Sequence, residues 1–168
     1  VEEERFNRIK HTTHFPVNSI KYCLEKGGVT LNDVEISISY DPKLVLGGGI
    51  LSKINPIETI PKIQFRNRIL DQSRKFKFYF GTDVQVNFLK HHDCHQFSSF
   101  PLSGFRECMS ISVDGYGEND STIINHVAGG KTKLLKEVFL PHSLGNFYSY
   151  FTDWLGFEVN EGEGKTMG

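Results

Sequence analysis

The chain has 168 residues, 38% of them hydrophobic and 23% charged, and a formal net charge of −1. That length suffices for one domain with a core, the composition is that of an ordinary soluble globular protein, and the near-neutral charge excludes a global pull toward nucleic acid or anionic membranes. No apolar run approaches the roughly 20 residues needed to span a bilayer, and three cysteines at irregular spacing (Cys23, Cys94, Cys108) fit reduced thiols in a cytoplasm, not a disulfide framework.

Val1-Glu2-Glu3-Glu4-Arg5-Phe6 opens without a cap, turn or preceding strand, and no signal peptide is visible. Residues 16–26 read as a short helix, with Ile20, Cys23 and Leu24 on one side and Gly27-Gly28 as its stop. Residues 34–40 alternate with the period of a strand, ended by Asp41-Pro42. Gly47-Gly48-Gly49 reads as a flexible loop. Residues 60–80, basic and aromatic-rich, read as one helix whose Lys62, Arg66, Arg68, Arg74, Lys75 and Lys77 form a solvated face in preference to a nucleic-acid face.

Residues 84–89 read as a strand that delivers His91 to the start of a helix. Residues 108–114 alternate Met109, Ile111 and Val113 against Ser110 and Ser112, another strand. Residues 122–128 and 134–139 flank Gly129-Gly130, a hairpin signature, so three sequential strands form an antiparallel meander. A helix over 143–155 carries Leu144, Phe147, Tyr148, Phe151 and Leu155 at the spacing of an apolar face. The last residues, 162–168, read as a glycine-rich loop. With Val1 at the start and this loop at the end, the chain reads as a fragment of an α/β protein.

The chemistry-bearing pattern is His91-His92-Asp93-Cys94-His95 followed by Val113-Asp114-Gly115. Residues four apart on a helix share a face, about 5–6 Å apart at Cβ. His91 and His95 can therefore converge on one metal ion, with Asp114 completing three ligands and leaving open positions. A zinc site built on His92 and Cys94 is the alternative. In Asp114-Gly115-Tyr116-Gly117-Glu118, the two glycines leave room for close approach of a metal or phosphate. An ordinary hairpin turn with surface acids is the competing reading of the same residues.

Several motifs stand in order along the chain: Glu3-Glu4-Arg5-Phe6-x-Arg8-x-Lys10-His11, His91-His92-x-x-His95, Val113-Asp114-Gly115-x-Gly117-Glu118, Pro141-His142-Ser143-Leu144-Gly145, Thr152-x-x-Leu155-Gly156-Phe157 and Gly162-Glu163-x-Lys165-x-Met167-Gly168. Together they resemble the N-terminal part of the O-carbamoyltransferases of the NodU/CmcH type, over nearly the whole chain. The resemblance implies a catalytic domain of the actin-like ATPase and sugar-kinase superfamily, built on ribonuclease-H-like sheets. It also implies a separate C-terminal domain that makes carbamoyl adenylate from carbamoyl phosphate and ATP. The carbamoyl group then passes to a hydroxyl of a sugar-containing acceptor.

By motif, the metal, expected to be iron as Fe2+, falls to His91, His95 and Asp114. Lys10 falls to the carbamoyl adenylate as the catalytic contact. Gly115, Gly117 and Glu118 join Lys10 as candidate cofactor-binding positions, while His11 and His14 are assigned structural or exposed places. Asp93, Cys94, Gln96 and Gly164 depart from the family's usual residues without removing a ligand, and Cys94 could bring redox sensitivity.

The family's glycine-histidine-aspartate motif would precede Val1, and a further metal-binding aspartate, much of the nucleotide site and the adenylate-forming domain would follow Gly168. The fragment alone is therefore expected to be inactive. The related enzyme that transfers threonylcarbamoyl to transfer-RNA adenosine shares the two-histidine motif, but the Glu-Glu-Arg-Phe and Pro-His-Ser-Leu-Gly segments favour the sugar-directed family. A non-catalytic metal- or nucleotide-binding module is the reading from another class. Apolar sheet edges in a truncated domain lead to an expectation of self-association into a homo-oligomer.

Overall fold

The computed structural model describes residues 1–10, 12–45 and 56–168, and of residues 56–60 the backbone only. His11 and Gly47-Gly48-Gly49 lie outside the described residues. The elements begin with α1 (Glu4–Asn7), α2 (Val17–Gly27), β1 (Ile36–Ile38), α3 (Pro56–Leu70) and α4 (Gln72–Phe80). They continue with β2 (Val86–Phe88), α5 (His91–Ser103), β3 (Glu107–Val113), β4 (Asp120–Ala128), β5 (Lys131–Phe139), α6 (Leu144–Trp154) and α7 (Glu163–Met167). The fold is mixed α/β, with two small sheets. By contacts the chain divides into two units, one of Val1–Ile38 and Asn67–Phe88, the other of Ser39–Arg66 and Leu89–Gly168.

In the first unit β1 and β2 pair in parallel, Ile36 opposite Val86 and Ile38 opposite Phe88. Ile69 and Phe76 are buried. Phe15 meets Phe76 edge-to-face at 5.1 Å and stacks on Tyr79 at 5.3 Å. Glu3, buried, accepts from the backbone N–H of Asn18 and Ser19 and so satisfies the open donors of the first turn of α2.

The second unit is organised on the antiparallel sheet β3-β4-β5. The expected meander is present, and its hairpin turns at Gly129 and Gly130, both in the left-handed region at φ 57° and 71°. That conformation belongs to the tight two-residue turn and suits glycine. Helix α5 packs on the face of the sheet that carries Ser110 and Ser112, which are buried, while Met109, Ile111 and Val113 are exposed. The physical reason is hydrogen bonding. His92 Nδ1 lies 2.6 Å from the Ser112 hydroxyl, Gln96 Nε2 donates to the Ile123 carbonyl at 3.1 Å, and Asn125 Nδ2 donates to Gln96 Oε1 at 2.6 Å. Ile123 and Val127 supply the apolar part of that interior.

Three readings from the sequence need correction. The single helix over 60–80 is two helices, interrupted at Asp71. The C-terminal segment is not all loop: α7 forms because the Gly162 carbonyl accepts from the N–H of Lys165 and Thr166, and the Thr166 hydroxyl reaches Thr152 on α6 at 3.1 Å. On α6 the residue wholly buried is Thr152, while Leu144, Phe147, Phe151 and Leu155 are exposed. The apolar spacing is real, but the helix seats on the unit through its small polar residues.

Lys90 precedes α5 and lies 2.8 Å from Asp120 Oδ2 and 2.7 Å from Glu137 Oε1. The Asp120 side chain is only 3% exposed. Burial alone would raise the Asp120 carboxyl, but the bond to Lys90 and its charge outweigh burial and hold it below the usual range. Burial likewise pulls Lys90 down, and its bonds to Asp120 and Glu137 outweigh that and hold it above its usual value. The pair's stabilisation is therefore complete between the ordinary aspartate and ordinary lysine values. It fades as pH falls through the lowered aspartate value, and again as pH rises through the raised lysine value. Lys90→Met strands a buried carboxylate and is expected to cost about 3 kcal/mol at neutral pH. Urea denaturation across the acid range checks this: the variant's stability should no longer fall on acidification through the aspartate range.

Candidate metal centre

The site is built where the start of α5 faces the end of β3. The chain leaves Lys90 extended and enters α5 at His91, so His91 and His95 stand one turn apart on one face. The imidazole of His92, 0% exposed, points the other way, between the Ser112 hydroxyl and the Asp120 carbonyl. His92 is thus part of the packing of α5. Cys94 is half-buried, and burial, together with the Asp93 and Glu118 carboxylates, pushes its thiol up, away from the thiolate that binds metal or reacts. Neither belongs to the cluster formed by His91, His95 and Asp114, whose ligand atoms all lie within 4.8 Å of one another.

Asp114 follows the last residue of β3. Its own N–H donates to the Ser121 carbonyl, and Gly117 N–H donates to the Asp120 carbonyl, closing a tight turn into β4. Gly115 N–H donates to Asp114 Oδ1 at 2.6 Å, which leaves Oδ2 for the histidines. His91 Nε2 lies 2.9 Å and His95 Nε2 3.2 Å from that oxygen, and the two nitrogens are 3.0 Å apart. Burial would raise Asp114, but His91, the Gly115 N–H and His95 outweigh it and hold the carboxyl below its usual range.

On its other side His91 is held firmly. Its Nδ1 lies 3.0 Å from the Ser39 carbonyl, an acceptor, so Nδ1 donates there and Nε2 is the nitrogen turned to the cluster. The Tyr40 ring stacks on the imidazole at 4.4 Å, 19° from parallel, and meets Phe65 edge-on. Burial, then the charges of Asp114, Tyr116 and Glu118, push the Tyr40 phenol up to about 12, so its hydroxyl keeps its proton.

Three acceptor atoms 2.9–3.2 Å apart repel one another unless a proton or a cation lies among them. A divalent ion about 2.1 Å from each of three ligands on one octahedral face spaces those ligands about 3.0 Å apart. The two imidazoles and one carboxylate found here match that spacing and that donor set, and His95, half-exposed, leaves the remaining positions open. The residues fit a divalent metal.

A cavity of about 550 Å³ opens over the cluster, lined also by Tyr116, Asn146, Ser149, Asn160 and Glu163. Sequence reasoning did not single out Tyr40, Asn146, Ser149 or Asn160, since no local spacing reports residues that meet only in space. Ser143 does carry a local signal, as a serine before an apolar helix. It caps α6 by accepting from Asn146 N–H, and its hydroxyl donates to the Gly115 carbonyl at 2.6 Å. Of the other sequence candidates, Gly115 lines the cavity and Gly117 packs against α5. Glu118 is 4% exposed, and its carboxylate accepts backbone N–H groups. Lys10 belongs to the other unit, exposed, in a turn after α1, and His14 there is exposed as expected.

Residues 58–168, which include every member of this cluster, match the family described as Carbamoyltransferase N-terminus. The chain belongs to that family. Over its full length it is 33% identical to the nodulation protein NolNO of Sinorhizobium fredii, covering 25% of that protein. It is also 33% identical to an uncharacterized protein of Synechocystis, covering 30% of it, and 31% identical over 99% of its length to one of Methanocaldococcus jannaschii, covering 28% of that. The chain therefore spans less than a third of the length of these relatives. Among its described residues no helix is long and apolar enough to cross a membrane.

Within this carbamoyltransferase N-terminal chain, Gly145 fixes how closely α6 approaches the cluster. A Cβ there would lie 2.5 Å from Gly115 N and 2.6 Å from the Asp114 carbonyl carbon, both backbone atoms that cannot yield cheaply. Gly164, by contrast, has open space around it. Gly145→Ala is expected to cost about 2 kcal/mol, as overpacking does, and to displace Asp114. Gly164→Ala is expected to be neutral or slightly stabilising. Thermal unfolding of the two variants in parallel, with metal content measured on each, checks both.

Proposed function

We propose that this chain is the metal-holding part of an O-carbamoyltransferase that moves a carbamoyl group from carbamoyl adenylate to a hydroxyl of a sugar-containing acceptor. The reading is supported most by one observation: His91, His95 and Asp114 converge in the wall of an open cavity, inside the region that matches the family. A ribonuclease-H-like sheet of the actin-like ATPase superfamily is the fold this reading carries, with carbamoyl phosphate and ATP as the sources of the adenylate.

In the transfer, the acceptor hydroxyl gives its proton to a base or to water as its oxygen bonds the carbamoyl carbon, the bond from that carbon to the phosphate oxygen breaks, and AMP leaves. Negative charge grows on the carbonyl oxygen and on the departing phosphate. A divalent cation, Fe2+ in this reading, supplies a positive charge for that oxygen when bound. His91, His95 and Asp114 would hold it. Tyr40, whose phenol keeps its proton, and the backbone at Gly115 line the cavity beside them, able to bind and orient polar groups. Lys10 is the residue whose motif assigns it to the adenylate, where its charge would meet the phosphate.

The test is metal analysis of the full-length protein purified without oxygen, beside His91→Ala, His95→Ala and Asp114→Ala, followed by transfer of labelled carbamoyl to sugar hydroxyls. Near-stoichiometric metal in the parent, its loss in all three variants and a parallel loss of transfer are expected. Metal retained by all three variants, or transfer that survives its loss, would sink the assignment.

A further inference from the structure

Glu118 lies in the second unit beside the cluster without touching its ligand atoms. Its side chain is buried, and its carboxylate bridges two stretches of backbone far apart in sequence. Oε1 accepts from Asp41 N–H at 2.7 Å and from His91 N–H at 3.1 Å, and Oε2 lies 3.4 Å from the same His91 nitrogen. The first stretch contains Ser39, whose carbonyl takes the Nδ1 proton of His91, and Tyr40, whose ring lies flat on that imidazole. The second is the first turn of α5, where His91 originates. One carboxylate thus ties the root of His91 to the two groups that orient its ring.

The same carboxylate answers two separate physical needs. The first N–H groups of a helix have no partner within it, and the dipole there favours a negative charge. A buried carboxylate in turn needs donors. Glu118 can reach its place only because Gly117 carries no side chain: a Cβ at 117 would meet His92 Cδ2 at 2.9 Å and His91 Cβ at 3.3 Å. Asp120, the neighbouring buried acid, is paired with Lys90.

We propose that Glu118 is the positioning residue for His91, setting the tautomer and ring direction that let Nε2 bind a cation. The inference rests on the metal reading above. Groups that orient a metal-binding histidine change metal affinity by about 10–100-fold when removed, although they touch no metal.

The experiment is Co2+ affinity of the full-length protein by chelator competition, for the parent, Glu118→Ala, Glu118→Gln and each in a His91→Ala background. Expected is a fall of about 10-fold or more for Glu118→Ala. Glu118→Gln, which keeps an oxygen for both N–H groups, should stay near the parent. In the His91→Ala background, where only the weak residual affinity at high Co2+ is read, Glu118→Ala should lower that affinity no further, because the coupling runs through the missing ring. An equal loss with and without His91, or no loss in the folded Glu118→Ala protein, overturns the proposal.

Should Glu118→Ala fail to fold, Tyr40→Leu reads the same linkage from its other end. It removes the stacked ring and leaves the carboxylate's bonds in place. A several-fold fall that vanishes in the His91→Ala background is expected, and an unchanged affinity overturns the proposal. A parent that takes up no Co2+ overturns the metal reading and this one with it, whereas a parent that binds Co2+ regardless of Glu118 overturns this one alone.

Discussion

The hydrogen-bonded seam between α5 and the sheet governs the geometry of the second unit. His92 to Ser112, Gln96 to Ile123 and Asn125 to Gln96 are directional contacts, so they fix both the rotation of α5 about its axis and its position along β3 and β4. An apolar interface would tolerate a shift of part of a turn, since hydrophobic contact has no preferred direction. A helix that has to deliver two imidazoles to one point cannot tolerate it. With His92 and Gln96 committed inward, His91 and His95 emerge together on the side that faces Asp114. The inverted burial of β3, serines inside and Met109, Ile111 and Val113 outside, follows from that commitment.

Close approach is the second constraint, and glycines set it. Gly117 lets the turn after β3 lie against His91 and His92, and Gly145 lets α6 lie against the backbone of Asp114 and Gly115. Ser143 locks the second approach by capping α6 and bonding the Gly115 carbonyl with one hydroxyl. The carboxylate of Asp114 is therefore fixed from below by the sheet and from the side by a helix start. Its free oxygen has one direction left.

Much of this was legible in the sequence wherever the signal was local. The period-two run located β3, the glycine pair located β4 and β5 as the arms of a hairpin, and the His-x-x-x-His spacing named His91 and His95 once a helix was placed there. The choice between His91 with His95 and His92 with Cys94 was not legible, because it depends on which face of α5 packs, and that is decided by serines on a neighbouring strand. The role of Glu118 was hidden for the same reason: its partners at Asp41 and His91 are brought to it only by the fold. The apolar stripe of α6 misled in the opposite sense, since Thr152 and the glycines around the site settle how that helix sits, and periodicity carries no information about them.

The stability of such a cluster is in tension with the metal-binding role proposed for it. Two imidazole nitrogens and a carboxylate oxygen held at 2.9–3.2 Å repel one another as lone pairs wherever no proton or cation lies between them. The surrounding structure holds them by bonds made on their far sides: Ser39 and Tyr40 to His91, Gly115 to the second oxygen of Asp114. Those bonds leave the inward-facing atoms of the cluster unchanged. They prevent the side chains from turning away from it, which is what preorganisation for a cation requires. A cation that displaces the shared protons would meet three converging ligand atoms, and its binding free energy would add to the stability of the second unit.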